Sequence, residues 1–283
     1  MDNQDHTPST LAGGTSRNKA ASEAPMKVVL LVGGKGIRLA GEHAPLPKAL
    51  YRIGEQPLVY HIMRTFAAGG MTRFLLALGY RGEQIVDYFL HHAPFLQTDL
   101  RLELGAEGGL PHIQRLSGPG EAWDVTLAHT GIESPTGERL RRIREYLDDD
   151  DDFIVTYGDG LSDLDPNDLV KFHRDHGRVG TVTAVRANSQ FGHINFKADS
   201  IVEEIEEKPP LPGWINGGFI VFDHRIFDYL QPGDSLEADC LPRLVEDGQL
   251  VAREHDGFWA CMDTYKDGMA LEELWQSGAA PWL

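Results

Sequence analysis

Lys27-Val28-Val29-Leu30-Leu31-Val32-Gly33-Gly34-Lys35-Gly36-Ile37-Arg38-Leu39 is the stretch on which the fold turns. Its first six residues make a β-branched and aliphatic run of strand length, and the glycine pair that stops it marks a buried strand delivering a loop. Downstream, Leu58, Ile62, Met63 and Phe66 recur at helical spacing within residues 57–70, which end in two glycines. Phe74 to Leu78 is a second buried strand, Gln84 to Leu90 a second helix, and Trp123 to Ala128 alternates like a strand. Gly137 to Leu147 carries an Arg-rich amphipathic helix, and Phe153 to Tyr157 another strand. Alternating strands and helices predict an α/β fold, a Rossmann-like, mostly parallel sheet flanked by helices. After the helix Pro166 to His176 come short strands, Thr181 to Val185, His193 to Phe196, Ile201 to Ile205 and Phe219 to Phe222. They predict an extension of the sheet or a small β-rich part over its edge. Helices at Leu236 to Asp247 and Tyr265 to Gln276 close the chain.

Upstream, residues 1–25 are rich in Ser, Thr, Asn, Gly and Ala and predict a disordered tail, because ordering them costs entropy without burial in return. Residues 26–283 are expected to form one domain. The formal net charge of -17 repels nucleic acid, so an anionic ligand must be met by local cations and amides. No apolar stretch approaches the ~20 residues of a membrane helix, and the polar start lacks a signal peptide's apolar segment, so a cytoplasmic protein is expected. Cys240 and Cys261 lack zinc-ligand spacing and read as reduced, packed thiols. The acid run Asp148 to Asp152 reads as a solvated turn, and His91, His92 and His112 as solvated or helix-end residues.

Three constellations carry chemistry. Gly33, Gly34 and Gly36 let backbone amides approach phosphate oxygens, Arg38 can fork across two of them, and Lys48 follows ten residues later. The loop is no P-loop, and Leu39 stands where a dinucleotide fingerprint needs its last glycine. Alone, it equally suits a glycine turn with surface cations. Asp159, between Gly158 and Gly160 at the carboxyl end of a buried strand, sits where open α/β sheets bind ligands. Asp263 in Cys261-Met262-Asp263-Thr264 supplies a second carboxylate before the last helix; taken singly, it favours a helix cap. Together the two acids suffice for Mg²⁺, which takes one or two carboxylates plus phosphate oxygens and water. Lys208, among acids, suits a surface ion pair or a phosphate contact, and Asn216 before Gly217 and Gly218 suits a hairpin turn or an amide facing hydroxyls.

In order and spacing these pieces resemble the sugar-1-phosphate nucleotidylyltransferases, particularly the glucose-1-phosphate cytidylyltransferases. The resemblance covers roughly Met26 to Trp282. It rests on Gly34, Gly36, Arg38 and Lys48, on Leu78 to Gly82, on Val125 to Leu127 with Thr130-Gly131, and on Thr156 to Gly160. Trp214 to Phe219, Gly257 to Trp259, Met262 to Thr264 and the ending Ala280-Pro281-Trp282 complete it. It implies the nucleotide-diphospho-sugar transferase fold, with the β-rich part as a small sugar-binding extension, and transfer of a nucleoside monophosphate from a nucleoside triphosphate to a sugar 1-phosphate. By that resemblance Arg38, Lys48 and Asp159 are catalytic, and Gly33, Gly34, Gly36, Gly79 and Tyr80 join Arg38 and Lys48 around the nucleotide. Asp159 and Asp263 hold Mg²⁺, and Lys208, Asn216 and Gly217 meet the sugar phosphate. It also implies a homo-oligomer. This chain departs from the pattern at Ile37, where Thr is usual, at Glu138, where the usual segment has a second glycine, at Ala128-His129 and at Ala187 to Gln190. These departures keep two other readings in play, uridylyl or thymidylyl transfer to an unusual sugar and a non-catalytic nucleotide-sugar binder.

Overall fold

The computed structural model describes residues 25–34, 46–92, 100–103, 112–115, 122–148 and 150–282. The predicted tail, apart from Pro25, and the loop residues Gly36, Ile37 and Arg38 lie outside them.

The strands in chain order are β1 (Lys27–Leu31), β2 (Arg52–Ile53), β3 (Gln56–Pro57), β4 (Arg73–Leu78), β5 (Leu100–Glu103), β6 (His112–Arg115), β7 (Asp124–His129) and β8 (Asp152–Tyr157). They continue with β9 (Gly160–Ser162), β10 (Gly180–Val185), β11 (His193–Phe196), β12 (Val202–Glu206), β13 (Ile215–Asp223), β14 (Leu250–His255) and β15 (Trp259–Cys261). The α-helices are α1 (Leu58–Ala68), α2 (Gly82–Asp87), α3 (Thr136–Arg142), α4 (Pro166–His176), α5 (Leu241–Glu246) and α6 (Tyr265–Gln276).

Among the described residues, seven strands form one sheet in the order β14-β10-β13-β8-β1-β4-β7. β1 is parallel to β4 and β8, β4 to β7, and β10 to β14, whereas β13 runs antiparallel to both of its neighbours. Side chains alternate across β1, so Val28 and Leu30 enter one buried cluster with α1 residues, and Val29 and Leu31 enter another with Leu140, Phe153 and Leu244. The sheet is therefore covered on both faces, which explains why its central strands read as unbroken apolar runs.

Expected β10 and β13 extend the sheet, while β11 and β12 form a separate antiparallel hairpin. The predicted helix Leu236 to Asp247 is divided: a wide turn over Leu236–Cys240 hands on to α5 with Pro242 in its first turn, where a missing N–H is tolerated. The acid run is no simple solvated turn. Asp150, only 7% exposed, pairs with Lys27 at 2.9 Å and Arg73 at 3.1 Å, because the amino ends of β1 and β4 bring those cations to it. Asp152 bonds to Arg174 at 2.8 Å. His91 sits exposed at a helix end, 2.8 Å from Asp87, as expected.

Candidate active site

The carboxyl ends of β1, β4, β7 and β8 lie along one edge, where a parallel α/β sheet opens its crevice. A cleft of about 490 Å³ opens there, lined by Gly33 and Gly34 after β1, Lys48, Asp159 after β8, and Asp263. Such a volume lies within the range of small-molecule and cofactor sites.

Asp159 and Asp263 meet because β9 pairs with β15: Cys261 lies opposite Gly160, and the Met262 amide donates to the Asp159 carbonyl at 2.8 Å. Asp263, which taken singly suited a helix cap, does not cap the last helix. Thr264 is the cap of α6, closing a capping box with Asp267, and the Asp267 carboxylate also takes the Asp263 backbone amide at 3.1 Å. The Asp263 side chain is thereby left to face the cleft. Lys48 begins a short helical turn anchored by buried Ala49 and Leu50. Its ammonium donates to Asp263 Oδ1 at 2.5 Å and to Asp159 Oδ2 at 3.2 Å. Burial by itself lowers the Lys48 pKa, but the two carboxylates more than offset it and the net shift is upward. Burial pushes the Asp159 carboxyl up, against the pull of Lys48.

One ligand atom each from Asp159, Asp263 and Cys261 lies within 4.8 Å of the others. The two carboxylates are hard oxygen donors already gathered around a cation, the Lys48 ammonium, so the pair fits a hard divalent ion. Cys261 does not add to that fit, because burial, then Asp159 and Asp263, push its thiol up and keep it protonated.

Of the other residues singled out, Gly79 and Tyr80 follow β4; the Tyr80 amide donates to the Gly33 carbonyl at 3.2 Å. Asn216 and Gly217 reach the same edge because β13 runs the opposite way and starts there. Asn216 Oδ1 accepts from the Gly218 amide at 2.9 Å. The Gly217 carbonyl accepts from Trp259 Nε1 at 2.8 Å, which ties β15 to the start of β13. Lys208 is half-buried at the foot of the β11–β12 hairpin, with φ of 51°, and does not line the cleft.

Sequence reasoning passed over Tyr157, Glu237 and Arg139. The Glu237 carboxylate takes the Tyr157 hydroxyl, Thr136 Oγ1 at 2.6 Å and Ser235 Oγ at 2.8 Å, tying the end of β8 to the start of α3. Tyr157 stands inside the quoted Thr156 to Gly160 segment and was findable there; Glu237 carries no motif signal. Glu138 does not line the cleft: it bonds to Arg141, Arg142 and the Gly233 amide. The departure at this position therefore leaves the cleft free of an extra acid.

Residues 27–267 match the nucleotidyl transferase family. The chain belongs to that family. A glucose-1-phosphate cytidylyltransferase from Salmonella typhimurium is 39% identical over 260 residues, covering 91% of this chain and 98% of its own length. A Bacillus subtilis protein named as a probable enzyme of the same kind is 36% identical over 259 residues, covering 91% of this chain and 99% of its own length. Among solved structures, HddC from Yersinia pseudotuberculosis shares the nucleotidyl transferase's fold, with a TM-score of 0.64 at 23% identity, covering 88% of this chain and 99% of that chain. No helix among the described residues is long and apolar enough to cross a membrane.

Proposed function

We propose that this chain transfers CMP from CTP to a sugar 1-phosphate, releasing pyrophosphate and forming a CDP-sugar. The observation that carries the proposal is the Lys48 ammonium bridging Asp159 and Asp263 in a cleft at the strand ends. The names of the Salmonella and Bacillus relatives support CTP as donor and make glucose 1-phosphate the first acceptor to test. A phosphate oxygen of the acceptor attacks the α-phosphorus in line. The new bond joins that oxygen to phosphorus, and the bond from the α-phosphorus to the oxygen bridging the β-phosphorus breaks. The attacking oxygen is already ionised at neutral pH, so the protein need supply no nucleophile or general base. Its residues align the partners and neutralise charge. Lys48 offsets charge on the triphosphate, and Arg38, outside the described residues, is assigned the same task. Gly33 and Gly34 are assigned to the phosphates, as is Gly36, outside the described residues. Gly79 and Tyr80 are assigned to the base, and Asn216 and Gly217 to the sugar phosphate. Lys208, placed outside the cleft, could contribute there only if the β11–β12 hairpin moved toward it. Asp159 and Asp263 would hold Mg²⁺, which when bound screens the phosphate oxygens and favours departure of pyrophosphate. The proposed location is the cytoplasm, where nucleoside triphosphates are made.

A pyrophosphate-release screen of CTP, UTP and dTTP against sugar 1-phosphates tests the reading. Fastest release with CTP is expected. Preference for UTP or dTTP overturns the base assignment, and nucleotide binding without release in any combination overturns catalysis.

The chain is further proposed to be a homo-oligomer joined through the β11–β12 hairpin. Ile194 pairs with Ile205 and Phe196 with Val202, putting four apolar side chains, 49–69% exposed, on one face. A two-stranded hairpin is marginal without a surface to pack on, and a two-fold contact sets this same face of two copies together. Ile205→Lys should convert the oligomer to monomer in sedimentation velocity; an unchanged assembly removes the hairpin from the interface.

A further inference from the structure

Arg139, in α3, is only 4% exposed, yet it lines the cleft. Its Nη1 donates to the Leu78 carbonyl at 3.1 Å, to Thr130 Oγ1 at 2.8 Å and to the Gly131 carbonyl at 2.8 Å. Its Nη2 donates to the Gly33 carbonyl at 3.1 Å and the Ile132 carbonyl at 3.2 Å. The four hydrogens on those two nitrogens are shared among five acceptors, so neither nitrogen keeps a donor for phosphate. The acceptors lie at the last residue of β4 and in the loops that leave β1 and β7, three adjacent strands of the sheet. One planar group thus fastens three loops along the edge where the nucleotide is proposed to lie.

The two neighbouring glycines fit this arrangement. A Cβ on Gly33 would lie 2.3 Å from Arg139 Cζ, and one on Gly79 would lie 2.1 Å from Nη1. Either methyl would displace a guanidinium that its hydrogen bonds hold in place. Thr130 is part of the same fastening, since its hydroxyl accepts from Arg139 and donates to the Leu78 carbonyl at 2.7 Å. Lysine cannot replace Arg139 here, because a single ammonium with three donors does not span three loops.

We propose that Arg139 is the positioning residue of the nucleotide half of the site: it fixes the spacing of the Gly33, Gly79 and Thr130–Ile132 loops, and positions 33 and 79 are glycine to admit its guanidinium. The proposal rests on the nucleotidyl transfer reading and adds that Gly79 serves the arginine beneath it as well as the base above. It is tested by a cycle of Gly79→Ala, Arg139→Ala and the double variant, read as the CTP dissociation constant by calorimetry without acceptor. Each single change should weaken CTP by roughly 10-fold, and in the Arg139→Ala background Gly79→Ala should add less than about 2-fold, because the space it needs is then free. Independent, multiplying effects overturn the proposal. In turnover the KM for CTP should rise while the KM for the sugar 1-phosphate stays within about 2-fold; equal rises mean a general structural role and also overturn it. Should Arg139→Ala not fold, Arg139→Lys decides, and CTP affinity equal to wild type in that variant refutes the clamp. Wild-type pyrophosphate release is measured separately. If it occurs with UTP rather than CTP, the cycle is read with UTP, so failure of the transfer reading is distinct from failure of the clamp.

Discussion

Two charge clusters flank the same edge of the sheet and are built in opposite ways. Glu138 meets Arg141 and Arg142 at i+3 and i+4 on its own chain segment, with the Gly233 amide as a further donor. Lys48, Asp159 and Asp263 come from segments 111 and 215 residues apart. In the first cluster, two guanidiniums saturate one carboxylate and hold its pKa at about 2, the Arg141 hydrogen bond being the largest cause. In the second, two carboxylates from separate segments converge on one ammonium at the wall of the cleft. A local cluster away from the cleft does structural work, whereas one assembled from distant segments at the cleft wall is placed to meet a ligand.

The comparison breaks most sharply on removal of its central cation. Lys48→Ala or Asp159→Ala should cut pyrophosphate release by roughly 10²–10³-fold while the melting temperature shows a folded protein; activity near wild type in either would end the assignment. Next, chelation of divalent ions should abolish turnover and Mg²⁺ should restore it, with Asp263→Asn requiring more Mg²⁺ for half-maximal rate. An Mg²⁺ requirement in Asp263→Asn equal to wild type would remove that residue from the metal site. The smallest effect belongs to Glu138. Its folded pKa lies below the ordinary 4.5, so its contribution to stability is complete above pH 4.5 and is lost as pH falls toward about 2. Glu138→Gln should lower the melting temperature at pH 7 and flatten its decline between those pH values. Loss of turnover in a folded Glu138→Gln would contradict the division between the clusters.

Much of this was legible from the chain alone. The run Lys27 to Leu31 and the strand ending at Tyr157 fixed the sheet's centre, because buried parallel strands carry their signal in contiguous apolar residues. Lys48, Asp159 and Asp263 stood out by residue type and position, although their approach depends on the β9–β15 pairing, a register no local pattern encodes. Asp263 looked like a cap because a neighbouring Thr264 that caps better differs from it by one position. Arg139 sat in an Arg-rich segment in which Arg141 and Arg142 serve Glu138 and Arg144 pairs with Asp148; burial sets Arg139 apart. Glu237 joins Tyr157 across 80 residues, a tertiary contact without a sequence signature.

The reversal of β13 has one further consequence. Because it enters the sheet at the edge where its neighbours leave, the chain between β10 and β13, from residue 186 to 214, is spliced in at that rim without interrupting a central strand. Such an insert can lengthen, shorten or change its chemistry while the strands that carry Gly33, Gly79 and Asp159 keep their register. If the insert meets the acceptor, as the proposed sugar-phosphate contacts require, acceptor choice and donor choice can diverge independently on this scaffold.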